Sequence, residues 1–342
     1  MPAVPARGLA QPLAGWRSFE TTARLDIAEA KGQVQAWMPL PLSQDTDYFR
    51  TLANSWSGNA EKVEIVYEPT YRAALVTAAF RPGEAQPMLE VVSRFATRER
   101  NVELKPGAGM QATRDELTLY LKPTELMPTD GIVKKTADEI TRGARTDVQK
   151  ARAIYEWTVE NTFRDAKTRG CGVGDIKAML ENNAMGGKCA DLNALFVGLC
   201  RAAGVPARDV YGVRVVGSPR GYKSMGRLGD ITKAQHCRAE FYAQGIGWVP
   251  VDPADVRKVV LEERPGLTLA DDEVKAMRSF LFGNWEGNWL AYNYAHDVRL
   301  PGSKLAPVAF LMYPQAETAE GRVDSLDPDN FKYRIVSREL QA

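Results

Sequence analysis

Histidine is scarce in this chain: two residues of 342, His236 and His296. A histidine-built metal centre therefore lacks ligands. Cysteine is sparse too, with Cys171, Cys189, Cys200 and Cys237 and no C-x-x-C spacing. Structural zinc and a thioredoxin-like redox pair lack their pattern, and a chain of this size needs no disulfide staples. Cys171 is open to being free or paired. The charge excess of a nucleic-acid binder is missing, since 44 Lys and Arg face 43 Asp and Glu. No apolar run approaches the roughly 18 residues of a membrane-spanning helix, and no repeat recurs at solenoid periods. The expectation is a soluble folded protein without metal, cofactor, nucleic-acid partner or membrane insertion. Its length favours two compact units over one.

The opening MPAVPARGLAQPLAGW has no apolar core segment, so it is not a signal peptide. Residues 1–15 read as a flexible Ala/Pro/Gly-rich lead-in. It fits a cytoplasmic terminus or a mature end left after export, and the expectation is a periplasmic or exported protein, with a cytoplasmic one as the alternative.

Residues 16–125 carry mostly period-two patterning. Phe19, Thr21, Ala23, Leu25 and Ile27 alternate with polar neighbours, and similar runs occupy 33–38, 62–67, 73–80, 88–96 and 116–121. Turn residues such as Pro82-Gly83 and Pro106-Gly107 separate them. This predicts a β-rich, sandwich-like unit, interrupted by one helix near 47–56. After Leu121 the period becomes helical. Thr146 caps a helix with Val148, Ala151, Ile154, Tyr155 and Val159 on one face, and 175–180 reads as a short helix. A stronger helix carries Leu192, Leu195, Phe196 and Leu199, with Gly204 and Pro206 as its stop. Strands are predicted at 209–216, 235–243 and 248–251, and a helix from Glu273. The catalytic unit spans 126–300, and 301–342 forms a wrapped tail or edge strand packing on both units.

Gly186-Gly187-Lys188 invites a phosphate-loop reading, but Asn182 and Cys189 stand where that motif needs Gly and Ser or Thr. The segment instead places Cys189 in the first turn of an apolar helix, where free N–H groups and the dipole favour a thiolate. The two glycines permit a sharp turn and a close substrate approach. The bland alternative is a buried, inert thiol. A base bears on the choice. His236 alternates with Arg238, Glu240 and Tyr242 on the polar face of its strand, while Cys237, Ala239, Phe241 and Ala243 share the apolar one. A turn at 244–247 folds the next strand back, so Asp252 falls opposite residues 237–239. There its carboxylate can hold one imidazole nitrogen while the other faces the thiol. Pro253 would end that strand.

The run Gly-Gly-Lys-Cys-Ala-Asp-Leu-Asn-Ala-Leu-Phe-Val-Gly-Leu-Cys-Arg-Ala-Ala-Gly-Val-Pro-Ala-Arg (186–208), followed by His236 on a strand and Trp248-Val-Pro-Val-Asp252-Pro, resembles the transglutaminase-like superfamily. The likeness extends to the 147–161 helix and covers about 130–260. It implies an α+β, papain-like core with Cys189 as nucleophile, His236 as base and acid, and Asp252 as orienter, behind a β-rich N-terminal domain. It departs from the animal enzymes at Ala190, where they carry an aromatic residue, and leaves no room for their added barrels. The implied activity is thiol-dependent acyl transfer through a thioester. Hydrolysis of peptide or amide bonds is preferred, without a cofactor, with amine-resolved crosslinking and a non-catalytic scaffold as alternatives. The substrate would be a peptide or protein, with cell-wall fragments among those worth testing. Trp285, Trp289, Tyr292 and Tyr294 are candidates for a cleft wall against a core reading. His296-Asp297 reads as a structural pair, and Cys200 and Cys237 as buried small residues.

Overall fold

The computed structural model describes residues 15–28, 30, 32–107, 111–327, 329 and 331–341. The expected lead-in, apart from Gly15, lies outside them. Among the described residues no helix is long and apolar enough to cross a membrane.

Alternation in the first hundred residues produces strands because each then buries one face. Two five-stranded antiparallel sheets result. One runs Gly229–Asp230, Phe331–Leu340, Arg17–Ile27, Met88–Thr97, Phe49–Gly58, and the other Gly321–Val323, Gln315–Thr318, Gln35–Pro39, Ala74–Ala79, Lys62–Tyr67. Leu25, Met38, Val76, Leu89, Val91 and Phe331 from both sheets share one core, which makes the pair a sandwich.

Three readings change here. The helix expected near 47–56 is the strand Phe49–Gly58, paired with Met88–Thr97 through a bulge between Thr51 and Ala53. Its outer residues are largely exposed, so the period-two signal was missing. The strand expected at 116–121 is a short helix, Arg114–Leu119, whose Thr113 side chain accepts from the Glu116 N–H. Six residues are too few for periodicity to separate the two. The last residues, expected as a wrapped tail or edge strand, form an inner strand: Phe331–Leu340 pairs along its length with Arg17–Ile27 and on its other side with Gly229–Asp230.

The second half of the chain is built around a four-stranded antiparallel sheet in the order Gly247–Val251, Gln235–Ala243, Ala207–Arg214, Trp289–Asn293. The helix Cys189–Ala202 lies on it, buried on every side. Thr146 and Gln149 form a reciprocal cap at the start of Asp147–Asn161, and Gly204 takes the left-handed conformation past the end of Cys189–Ala202. Antiparallel sheets and packed helices make the class α+β.

A buried ion network ties the four-stranded sheet to the short ladder of Arg100–Asn101 with Asn284–Trp285. Glu240, fully buried, pairs with Arg100 and accepts from Arg208 Nε at 2.6 Å. Arg100 also donates to the Trp248 carbonyl at 2.9 Å, and Arg208 to Glu116 at 2.9 Å.

Candidate active site

Cys189 opens its helix, so its sulfur sits where the helix leaves its N–H groups unclaimed. The N-terminus is held by Asp191, which accepts from the Lys188, Val173 and Gly174 N–H groups, each at 2.9 Å. Ala190 N–H donates to the Cys171 carbonyl at 2.9 Å. These bonds press the 171–174 loop, and with it the Cys171 thiol, against the Cys189 turn. Gly172 is obligatory here: its φ is +96°, and a Cβ would come within 1.8 Å of Asp191 Oδ2.

Gly186 and Gly187 serve a different end from the sharp turn expected. They pair in parallel with Phe163–Arg164. A Cβ at Gly186 would strike the Phe163 ring, and one at Gly187 would strike Asp191. Close packing demands them.

His236 and Asp252 meet as the hairpin register requires. Ala239 lies opposite Val251, and His236 Nε2 lies 2.7 Å from Asp252 Oδ2. Nδ1 is thereby left for the thiol and substrate side. Asp252 is fully buried and also accepts from Asn193 Nδ2 at 3.3 Å and the Asp255 N–H at 3.1 Å. Rather than merely ending a strand, Pro253 starts a helix, Pro253–Glu262, with Asp252 as its N-cap. The polar face assigned to His236 is buried as well: His236 is 3% exposed, and Arg238 and Glu240 are enclosed.

Two positions escaped sequence reasoning. Asp255, three residues after Asp252, puts Oδ1 3.5 Å from His236 Nε2 and is clamped by both oxygens to Arg214. The i, i+3 spacing in a helix's first turn was the available signal. Asn193 bridges the Cys237 carbonyl (2.8 Å) to Asp252, and nothing in its sequence context marked it.

The charges follow from these contacts. Hydrogen bonding by the Cys171 thiol, then by Cys237, holds the Cys189 thiol well below the ordinary range against burial, and His236 adds to the effect. Burial and Arg214 push His236 down, but Asp255, Asp252 and the Asp252 hydrogen bond outweigh them, for a net rise. Burial, joined by the Asp255 charge, raises Asp252. Asp255 is held well below the carboxylate range: burial opposes this, and Arg214 outweighs it. The arrangement favours a thiolate beside an imidazolium.

His236, Asp252 and Asp255 place ligand atoms within 4.8 Å of one another, which a cation could use. Arg214 already neutralises Asp255, and Asp252 is committed to three donors. The donor set is thus satisfied by protein groups.

Cys189 and His236 line a cleft of about 680 Å³, whose walls include Cys171, Tyr313 and Tyr333. The aromatic wall expected from 285–294 is elsewhere: Trp285, Trp289 and Tyr292 are at most 5% exposed and pack in a separate core. Tyr313 and Tyr333, from the C-terminal segment, replace them. His296 is buried and faces Asp209 at 3.2 Å, whereas Asp297 is exposed and accepts from the Glu125 N–H. They are not a pair. All four cysteines are free, which decides Cys171, and Cys237 is fully buried in the cluster that holds Cys189.

Residues 134–253 match the sequence pattern of the Transglutaminase-like superfamily. An uncharacterized protein of Haemophilus influenzae is 36% identical over 342 residues, which covers 94% of this chain and 91% of the relative. A Cytophaga hutchinsonii structure provisionally named a cysteine protease shares the fold at 15% identity. Its TM-score is 0.53, with 95% of this chain and 99% of that one covered. The periplasmic domain of TgpA from Pseudomonas aeruginosa aligns at 16% identity over 70% of this chain and 92% of its own, with a TM-score of 0.36.

Proposed function

This chain belongs to the transglutaminase-like superfamily, and we propose from its site that it is a thiol acyl-transfer enzyme that hydrolyses peptide or amide bonds. The observation that carries the reading is the Cys189 thiol, lowered at a helix N-terminus, beside a raised, Asp252-held His236 in an open cleft.

The Cys189 thiolate attacks the substrate carbonyl carbon, and the carbonyl electrons move onto oxygen. The Cys189 backbone N–H, unclaimed by the helix, is the donor placed to meet that oxyanion. The His236 imidazolium gives its proton to the leaving amine as the C–N bond breaks, which leaves a thioester. Now neutral, His236 takes a proton from water. The hydroxide adds to the thioester, and the thiolate leaves with the acid as product. Asp252 keeps the ring oriented and its charged form stabilised throughout.

Amine in place of water would make a crosslinking enzyme, and a chain without turnover would be a scaffold. Incubation with a peptide library and a labelled amine separates the three. The expected result is cleavage that exceeds amine incorporation and disappears in Cys189→Ala. Incorporation outrunning cleavage would overturn hydrolysis, and failure of Cys189 to react faster than a free thiol with iodoacetamide at pH 6 would overturn the enzyme reading. An exported or periplasmic setting belongs to the same proposal and is checked by cell fractionation.

A further inference from the structure

We propose that the cleft selects acidic peptides, with carboxylates flanking the bond to be cut. This rests on the acyl-transfer reading above and goes beyond it to the substrate class. The chain as a whole is nearly neutral, yet among the described residues nine Lys and Arg side chains line the cleft and no Asp or Glu does. Some of these cations are answered from behind the wall. Arg164 and Lys258 pair with Glu262, Arg169 with Asp324 and Arg214 with Asp255, and Lys223 lies in the field of Glu263.

Lys188, Arg227, Lys233 and Lys332 remain, with no carboxylate partner among the described residues. They approach from different directions: Lys188 adjoins the nucleophile, Arg227 lies on the 218–230 loop, Lys233 leads into the His236 strand, and Lys332 begins the last strand. Arg227, Lys233 and Lys332 are exposed and Lys188 is half-buried, so all four heads are available to a ligand. Like charges arranged around one concavity repel unless a counter-charge enters, and a low-dielectric cleft focuses that field on the entering group. Arg and Lys distributed around the rim suit several separate carboxylates along an extended chain. Tyr313, Tyr333 and Leu326 offer apolar and hydroxyl surface between them, which fits an acidic peptide better than an acidic polysaccharide.

The test uses the full chain and two alkylating reagents of equal reach. Iodoacetate carries the charge of interest and iodoacetamide does not. In 20 mM salt, the iodoacetate-to-iodoacetamide rate ratio at Cys189, located by mass spectrometry, is expected to exceed that of N-acetylcysteine by about tenfold. The excess should collapse at 0.5 M salt. Lys233→Glu with Lys332→Glu should bring the ratio back towards that of N-acetylcysteine. In a second arm, an oligo-Glu peptide should slow iodoacetamide labelling at least several-fold more than oligo-Gln or polygalacturonate of matched length.

Fast labelling by both reagents with the free-thiol ratio would overturn the charge selection and leave the acyl-transfer reading standing. Labelling by neither reagent above the free-thiol rate would overturn that underlying reading. Protection by polygalacturonate equal to that by oligo-Glu would overturn the peptide assignment.

Discussion

A thiol would serve the proposed acyl transfer only if it is charged when the substrate arrives, and at the residue scale three cysteines gather around that thiol. Cys171, whose thiol donates to the Gln235 carbonyl at 3.3 Å, and Cys237 share a buried cluster with Cys189; contact with Cys189 and then burial raises the Cys171 thiol, and burial and then that contact raises Cys237. The sign for Cys189 is clear. Its folded value lies below the ordinary thiol range, so the thiolate persists as pH falls, where a free thiol near 8.5 loses about tenfold in reactivity per unit. Iodoacetamide labelling of Cys189 should therefore remain nearly flat between pH 8.5 and mildly acidic pH, followed by peptide mapping. Cys171→Ala removes the largest lowering contact, so the labelling profile should shift to higher pH. The loss of rate should be several-fold at pH 6 and much smaller at pH 9.5. Asp252→Asn keeps the shape but withdraws the charge that raises His236. Turnover in that variant should fall about a hundredfold, and the imidazolium limb of its pH–rate profile should move to lower pH.

At the scale of elements, the nucleophile turn and the loop before it act as one unit. Asp191 holds both, through three backbone N–H groups, and Gly172 leaves the space the carboxylate occupies. Gly172→Ala forces a side chain into left-handed backbone and into that carboxylate. A loss of roughly 2–3 kcal/mol is expected in urea unfolding, with Cys189 labelling at pH 6 slowed because Cys171 is displaced. Much of this unit was legible beforehand: a cysteine at the start of an apolar helix and a hairpin returning a carboxylate to a strand histidine both follow from local periodicity. The reach of Cys171 was not legible, since it comes from a loop 18 residues earlier that is irregular until Asp191 captures it. Asn193 was hidden for a similar reason. Its role exists only once the helix lies on the sheet and brings it to both the Cys237 carbonyl and Asp252.

At the scale of the whole molecule, the buried Arg100–Glu240–Arg208 network joins the β-rich region to the four-stranded sheet. Burial raises the Glu240 carboxyl, but Arg208 and Arg100 outweigh it and lower it overall. Its stabilising contribution is therefore complete above the unfolded carboxyl value of about 4.3 and is lost as pH falls through the lower folded value. Glu240→Gln leaves two buried cations facing a neutral group. A cost of about 3–5 kcal/mol is expected at neutral pH, read as a fall of about 10 °C in thermal midpoint. The difference from the unaltered protein should narrow on acidification.

Chain order and local pattern determined which residues make strands and helices in most of the protein, the cysteine at its helix start and the meeting of His236 with Asp252, because a helix start and a hairpin register are short-range matters. Tertiary structure decided the rest. The aromatic run at 285–294 went into a core and Tyr313 and Tyr333 went to the cleft, because strands near the chain's end pair with those near its beginning. Asp255, Asn193 and two further thiols joined the triad, and cations from remote segments gathered around it. Those are distances between segments far apart in the chain, and periodicity carries no information about them.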